Sequence, residues 1–461
     1  MPKTIQQPLV TVYVVNHNYG RFVERAVDSV LQQTMQNFEL IIIDDGSTDG
    51  SREIIERYSA HEKIQTIFQH NKGLNVTNNI AMRTATGKYI VRLDADDYFD
   101  NNALQVLSSV LDKHSEVDLV FPDYFEVDAD GNVQEMVRRH NFDEVTVFDQ
   151  PAHGACTMIR TECLRELGGY DEKYQCQDGF DLWVRLIGKH KVKNVNLPLF
   201  YYRQHGESLT RNEELLLSTR SRIVEKARNL RPERTTSIAI IPIRGITTDS
   251  HSLALQDLGS KKVIDWTIES AIQAKTIAHV MVTTPDDDII NHVETRYGKE
   301  VICIHRPAKL ALVNSHLTET IRHALDAYRN LLGSLPDIIA MLHVESPFRL
   351  PRHVDSAINS MILFETDSVV AVRPDFDTFF QHNGHGLQRL TSVNSLRLEA
   401  EGLLKVVGDM QFTKTSFFEK TGENIGGRIG HIIMDEKCCH SILSEWDWEM
   451  ATILAAQYFS N

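Results

Sequence analysis

Apolar positions in the first half of the chain fall in short continuous runs joined by stretches of helical spacing. Val10 to Val15 is a β-branched apolar run that stops at Asn16, His17 and Asn18, the pattern of a buried strand leading into a loop. Val23, Val27, Val30 and Leu31 recur at helical spacing, and Asn37 to Ser51 (NFELIIIDDGSTDGS) carries a second buried strand that breaks abruptly into Asp, Gly and Ser. Ile54 and Ile55 predict another helix, Ile64 to Phe68 a short strand, and Tyr89 to Leu93 a strand ending in acidic residues. Such alternation predicts parallel βαβ units and a doubly wound α/β sheet, whose ligands bind beyond the carboxyl ends of the strands. Both acidic clusters, Asp44-Asp45 and Asp94-Asp96-Asp97, fall at that edge.

Between Arg228 and Thr236 the pattern lapses into Pro and charge, and a new buried strand, Ile238 to Ile241, begins after it. This places a domain boundary there, with residues 1–229 on one side and 237–461 on the other. The second part alternates again: a helix over Val263 to Ile272, and strands over Val280 to Thr283, Ile338 to Leu342 and Ser368 to Val372. Two Rossmann-like α/β domains are therefore expected, and 461 residues suit two domains of common size.

Charge narrows the list of partners. With 48 basic against 63 acidic side chains the chain carries −15, which works against a grip on nucleic acid or anionic lipid. No run approaches the roughly 18 apolar residues of a membrane span, and MPKTIQQPL lacks the apolar core of a signal peptide, so no transmembrane segment and a cytoplasmic location are expected. The six cysteines form no CxxC pair and no regular spacing, so neither a zinc site nor a disulfide framework is indicated.

Asp94, Asp96 and Asp97, in GKYIVRLDADD, sit just past a strand, where carboxylates can hold Mg²⁺ or Mn²⁺ against a diphosphate, because these hard cations take oxygen ligands. In order along the chain stand VTVYVVNHNYG, DDGSTDGS, LDADD and YQCQDGFDLWVRL. Together they resemble the family 2 glycosyltransferases of GT-A fold, over Leu9 to Asn212. The resemblance implies that Asp45, with Asp44 beside it, receives the nucleotide base, and that Asp94 and Asp96 serve the metal and ribose, Asp96 first among the metal ligands. Inversion at the anomeric carbon needs a base opposite the departing diphosphate. Asp178, five residues before Trp183, takes the family's acidic position, with Asp181 as the fallback. The segment FYYRQHGESLTRN resembles the family's closing Tyr-Arg-x-His, which implies Arg203 at the donor and His205 at the metal. One departure is visible: where relatives often carry Arg before Asn, this chain has Asn78-Asn79.

The second half resembles the cytidylyltransferases that make CMP-sialic acid, through TSIAIIPIRG, KKVIDWTIESAI, HVMVTTPDDDII and HVESPFR. The loop that wraps CTP in that family is here GITTDSHSLALQ, which keeps Arg244 and Gly245 but puts Thr248 and Leu253 where Lys is expected and Ala254 where Asn is usual. The family's Asp-x-Asp falls on Ser441 and Leu443, although a slip of register would bring in Glu445 and Asp447. The domain reads as a degenerate cytidylyltransferase that binds a nucleotide or CMP-sugar weakly, docks a partner, or mediates homo-oligomerisation.

The expected activity is metal-dependent, inverting transfer of a sugar from a nucleoside diphosphate, UDP before others, to a saccharide or glycoprotein acceptor. Bacterial surface polysaccharide or flagellar glycosylation is the implied setting. Two rivals stand beside it: a bifunctional enzyme that also makes a CMP-nonulosonic acid, and a non-catalytic scaffold that binds sugar nucleotides.

Overall fold

The computed structural model describes residues 7–458 except 139–153, 175, 187–188, 205–212, 230–234, 246–251, 313–315, 376–378, 383, 385 and 390–402. The chain folds as two compact units, Met1–Asn212 with Thr378–Glu401, and Glu213–Asp377 with Gly402–Asn461.

The first unit runs β1 (Val10–Asn16), α1 (Gly20–Leu31), β2 (Phe38–Asp45), α2 (Ser51–Glu56), β3 (Ile64–Gln69), α3 (Leu74–Thr84) and β4 (Tyr89–Asp94). It continues through β5 (Tyr98–Phe99), α4 (Ala103–Lys113), β6 (Val117–Val127), β7 (Val133–Val137), β8 (Met158–Arg160), α5 (Thr161–Glu166), α6 (Asp178–Leu186) and β9 (Lys191–Arg203). The strands form one sheet in the order β3-β2-β1-β4-β8-β6-β9-β5, with β7 on β6. β1, β2, β3 and β4 are mutually parallel, as the alternation predicts. Past β4 the sheet turns mixed, because β8 runs antiparallel to both β4 and β6.

Every residue of β1 is buried. One face of the sheet, with Val12, Val14, Leu40 and Ile42, packs on Val23 and Val27 of α1 and Leu107 of α4. The other, with Tyr13, Ile41, Ile43 and Ile90, meets Ala81 and Met82 of α3 and Leu182 and Leu186 of α6. Cover on both faces is the reason these strands read as continuous apolar runs. Each such side chain contributes about 1.5–3 kcal/mol of burial. Register then fixes the site: Asn16 pairs with Asp44 across β1 and β2, and Val15 with Asp94 across β1 and β4, so both acidic turns leave the sheet at one edge.

The second unit comprises α7 (Glu213–Asn229), β10 (Ser237–Pro242), β11 (Asp257–Leu258), β12 (Lys261–Lys262), α8 (Val263–Gln273), β13 (Ile277–Thr284), α9 (Asp287–Tyr297), β14 (Val301–His305), α10 (Leu317–Leu332), β15 (Ile338–Leu342), α11 (Pro351–Leu363) and β16 (Ser368–Asp375). After the hairpin of β17 (Phe380–His382) and β18 (Leu387–Arg389) it resumes with β19 (Leu403–Lys414), α12 (Thr415–Thr421), β20 (Ile429–Ile433) and α13 (Glu445–Tyr458). Its sheet has the order β14-β13-β10-β15-β19-β16-β20, parallel from β14 to β15 and antiparallel at β19. Helices cover both faces, giving two apolar clusters, one around Ile241, Ile264 and Ile358 and one around Ile240, Ile321 and Phe418.

Helix α7, which the sequence pattern assigns to the first domain, groups with the second unit. It lies along α11, with Ser221 Oγ 2.6 Å from Ser356 Oγ and Glu225 ion-paired to Lys275 at 2.7 Å. Among the described residues no helix is long and apolar enough to cross a membrane.

Candidate active site

Asp44 and Asp45 end β2 and are both buried. Asp44 Oδ1 accepts from Asn16 Nδ2 at 2.8 Å and from Ser47 Oγ at 2.5 Å, while Oδ2 accepts from Ser47 N at 3.2 Å. It therefore braces its own turn, where Gly46 has a φ of +77° and leaves no room for a Cβ beside Asn71 N. Asp45 Oδ1 accepts from Gln69 Nε2 at 2.7 Å and Lys72 N at 2.8 Å, and Oδ2 from Gly73 N at 2.9 Å. The pair shapes the two loops that frame this edge. His17, which sequence reasoning passed over, stands between them, Nδ1 2.9 Å from Asp45 O and Nε2 3.2 Å from Asn71 Nδ2.

Asp94 closes β4, and a turn in which Asp97 N donates to Asp94 O at 3.0 Å brings Asp96 and Asp97 round beside it. Asp97 is buried; its Oδ1 accepts from Arg203 N at 2.9 Å, and its Oδ2 is buried with no hydrogen-bond partner. Burial first, then repulsion from Asp96 and Asp94, holds the Asp97 carboxyl well above the ordinary range. Burial likewise raises Asp94 to about 6, against the pull of Arg92 and with the push of Asp96 and Asp178; with 24% of its side chain exposed, water tempers that shift. The orphaned Asp97 oxygen among crowded carboxylates is the kind of donor a hard divalent cation takes, although the ligand atoms of Asp94, Asp96 and Asp97 do not all converge within 4.8 Å of one another.

Arg203, expected at the donor, directs the described hydrogen bonds of its guanidinium to backbone carbonyls: Nε to Asp96 O at 2.8 Å, Nη1 to Asp128 O at 3.1 Å and to Ala129 O at 2.8 Å. Its guanidinium lies over the Phe22 ring, 4.6 Å from the centroid. His205, expected at the metal, lies outside the described residues.

Asp178 is the first residue of α6, delivered there by Gln177, whose φ of +63° turns the chain sharply. Its Oδ2 accepts a short hydrogen bond from Arg92 Nη1. Arg92 stands in the middle of β4, in register with Tyr13, and is buried. Its Nε also lies 2.9 Å from Asp94 Oδ1, an ion pair without hydrogen-bond alignment, and its Nη2 donates to Asp94 Oδ2 at 3.3 Å. Burial would lower the guanidinium's affinity for its proton, but Asp178 and Asp94 reverse that and hold it above the ordinary value. Asp181, one turn on, is engaged differently: its Oδ2 takes Arg185 Nε at 3.0 Å and Nη2 at 2.7 Å along the helix. Arg92 was missed from the sequence, since nothing in an apolar strand pattern says which way one charged residue points or what meets it.

Asn78 and Asn79 do different work. Asn79 Nδ2 donates to Tyr170 O and Glu172 Oε1, both at 2.9 Å, and ties down the loop before α6. Asn78 is fully buried, with neither side-chain polar atom hydrogen-bonded. Elsewhere Asp118, Cys163 and His190 come together, as do His353, Asp435 and Cys438. Both groups have partners of their own: His190 Nδ1 is 2.9 Å from Asp118 Oδ2, and His353 Nδ1 accepts from Leu350 N at 3.1 Å while its Nε2 lies 3.4 Å from Asp435 Oδ2.

At the corresponding edge of the second unit, Ser441 Oγ lies 2.6 Å from Ser346 Oγ, which donates to Asp409 Oδ2 at 2.7 Å. Leu443 is 78% exposed. Asp447, a residue that a register slip would recruit, reaches back from the first turn of α13 to accept from Leu443 N and Ser444 Oγ, while Ser444 Oγ caps the helix by accepting from Asp447 N. Arg306 Nη2 donates to Ile243 O at 2.7 Å, one residue before Arg244; Thr248 lies outside the described residues.

A mixed α/β sheet whose parallel strands bring two acidic turns out at one carboxyl edge, with a buried Asp beside them, is the architecture of a GT-A nucleotide-sugar transferase. Residues 11–168 match the Glycosyl transferase family 2 model, and residues 238–377 match the Cytidylyltransferase model. The glycosyltransferase GlyG of Streptococcus pneumoniae is 33% identical over 227 residues, covering 44% of this chain and 74% of that protein. This chain belongs to the family 2 glycosyltransferases, with a cytidylyltransferase domain fused behind. The chondroitin synthase of Escherichia coli is 28% identical over 205 residues, 44% of this chain but 30% of the relative, so the chain spans under a third of that protein's length. Among solved structures, residues 1–349 of S. aureus TarS in complex with UDP-GlcNAc are 17% identical with a TM-score of 0.41, over 48% of this chain and 65% of that one.

Proposed function

We propose that the first unit moves a sugar from a nucleoside-diphosphate donor, UDP before others, to a saccharide or glycoprotein acceptor with inversion, using Asp178 as general base. One observation carries this reading. Asp178, on α6, and Asp94, at the end of β4, are bound to the same guanidinium, which supports a base and a donor-side carboxylate held within one site. An acceptor hydroxyl met by Oδ1 of Asp178, the oxygen that Arg92 leaves unengaged, would face the base on one side and the donor on the other, as in-line displacement requires.

Asp94 and Asp96 are the residues that would hold Mg²⁺ or Mn²⁺, with His205 assigned there by resemblance; the ion would neutralise charge on the leaving diphosphate. Asp45 and His17 frame the base end of the donor, and Asp44 keeps their turn in shape. Arg203 acts on the donor through Asp96, whose carbonyl it holds. Similarity to chondroitin synthases supports a surface polysaccharide as product; flagellar glycosylation is the other setting to test. Cys156, Cys163, Cys176, Cys303, Cys438 and Cys439 are all free thiols, which supports a reducing, cytoplasmic compartment.

Asp178→Asn tests the reading. It should keep donor binding while lowering turnover by about 10² to 10⁴, the worth of general-base catalysis. Asp181→Asn should affect stability before rate, because its carboxylate is committed to Arg185. The opposite pattern would exchange the two roles, and retained anomeric configuration in the product would overturn inversion.

A further inference from the structure

Arg92 interrupts an otherwise apolar stretch of β4, and a buried guanidinium is tolerated only where paired charges repay its lost hydration. The pairing here is divided. Nη1 binds Asp178 Oδ2, while Nε and Nη2 face the two oxygens of Asp94. The pocket around the fork is built for it: Gly154 packs against Nη2 so closely that a Cβ would collide with it, and Cys156 N donates to Arg92 O at 2.8 Å. Tyr13, beside Arg92 in register, has its hydroxyl 3.4 Å from that of Tyr170.

We propose that Arg92 is a positioning residue for sugar transfer: its rigid fork sets Asp178 relative to Asp94, and through them the acceptor relative to the donor. This rests on Asp178 being the base. Arg92 engages Oδ2 of Asp178, so Oδ1 is the oxygen it presents to an acceptor hydroxyl. A planar guanidinium can hold two carboxylates at fixed separation, whereas an ammonium on a flexible stem cannot. A base displaced by about 1 Å can cost about 10² in rate, so the effect belongs in kcat.

The test is a cycle of Arg92→Met, Arg92→Lys, Asp178→Asn and the two double variants. The full chain is assayed by nucleoside-diphosphate release from a panel of UDP- and GDP-sugars with Mn²⁺, alongside thermal unfolding. Arg92→Lys should unfold within a few degrees of the wild type yet fall at least about tenfold in kcat, and Arg92→Met about 10²-fold. In the Asp178→Asn background either change should lower kcat by clearly less than it does in the wild type, because the base is already gone and only the positioning of Asp94 is left to lose. If Asp178→Asn loses turnover while the Arg92 variants keep wild-type kcat, or if their losses multiply in the double variants, the positioning role is wrong. A kcat that simply follows the unfolding temperature across the Arg92 variants would also overturn it, in favour of a packing role. If Asp178→Asn turns over like the wild type, it is the assignment of the base that fails; if the wild-type chain releases no diphosphate from any donor, it is the proposed sugar transfer that fails.

Discussion

Arg203 donates its Nε proton to the backbone carbonyl of Asp96 over 2.8 Å, so the end of β9 holds the turn that carries the acidic cluster of β4. Arg203→Ala would leave that carbonyl and those of Asp128 and Ala129 short of a charged donor and should destabilise the chain by about 3 kcal/mol, a loss that hydrogen bonds to charged groups can produce. Mn²⁺ affinity measured by titration with UDP present should fall about tenfold or more, the usual consequence of removing a support behind a metal ligand. Intact stability and Mn²⁺ affinity with donor binding lost would make Arg203 a direct donor contact.

Turnover should depend on a divalent cation held at the acidic turn. Asp96→Ala should abolish transfer and weaken donor binding, and excess EDTA should stop the wild-type enzyme, with Mg²⁺ or Mn²⁺ restoring it. Full-rate transfer in EDTA would remove the metal from this account.

The crowding at Asp94 also gives a sign for pH. Its folded carboxyl titrates near 6, above the value of about 3.9 in an unfolded chain, so ionising it costs the folded state. The penalty is absent below about pH 4 and grows as pH rises through 6. In EDTA the unfolding temperature of Asp94→Asn should therefore gain on that of the wild type between about pH 4 and 7, and saturating Mn²⁺ should restore the wild type's position. A difference independent of pH would mean that Asp94 is not crowded as described.

For the second unit two outcomes are expected. The full chain, given CTP and a nonulosonic acid, should release no pyrophosphate, because Ser441 and Leu443 supply no carboxylate where the cytidylyltransferases use two; robust CMP-sugar synthesis would make the protein bifunctional. A fragment beginning at Glu213 should unfold at a higher temperature than one beginning at Ser237, since the shorter piece bares the face of α11 that α7 covers. Equal stability of the two fragments would support a boundary after residue 229.

The sequence by itself determined the alternation of strands and helices and the edge at which the acidic turns emerge. Runs such as Val10 to Val15 and the helical spacing of Val23, Val27 and Val30 are local records of two-sided burial and of one helix face, and both can be read without knowing what they pack against. It also offered Asp94 and Asp96 as candidates, because a strand that ends in carboxylates is a short-range pattern, and Asp178 through resemblance to the family's acidic position. Tertiary structure alone decided which charges meet. That Arg92 joins Asp178, 86 residues away, while Asp181 turns to Arg185 on its own helix, depends on register and on the angle at which α6 meets the sheet. It also sent Arg203 to backbone carbonyls, ran β8 antiparallel, and laid α7 along α11. Such pairings arise between segments far apart in the chain, and a buried charge takes whichever partner the packing brings within reach.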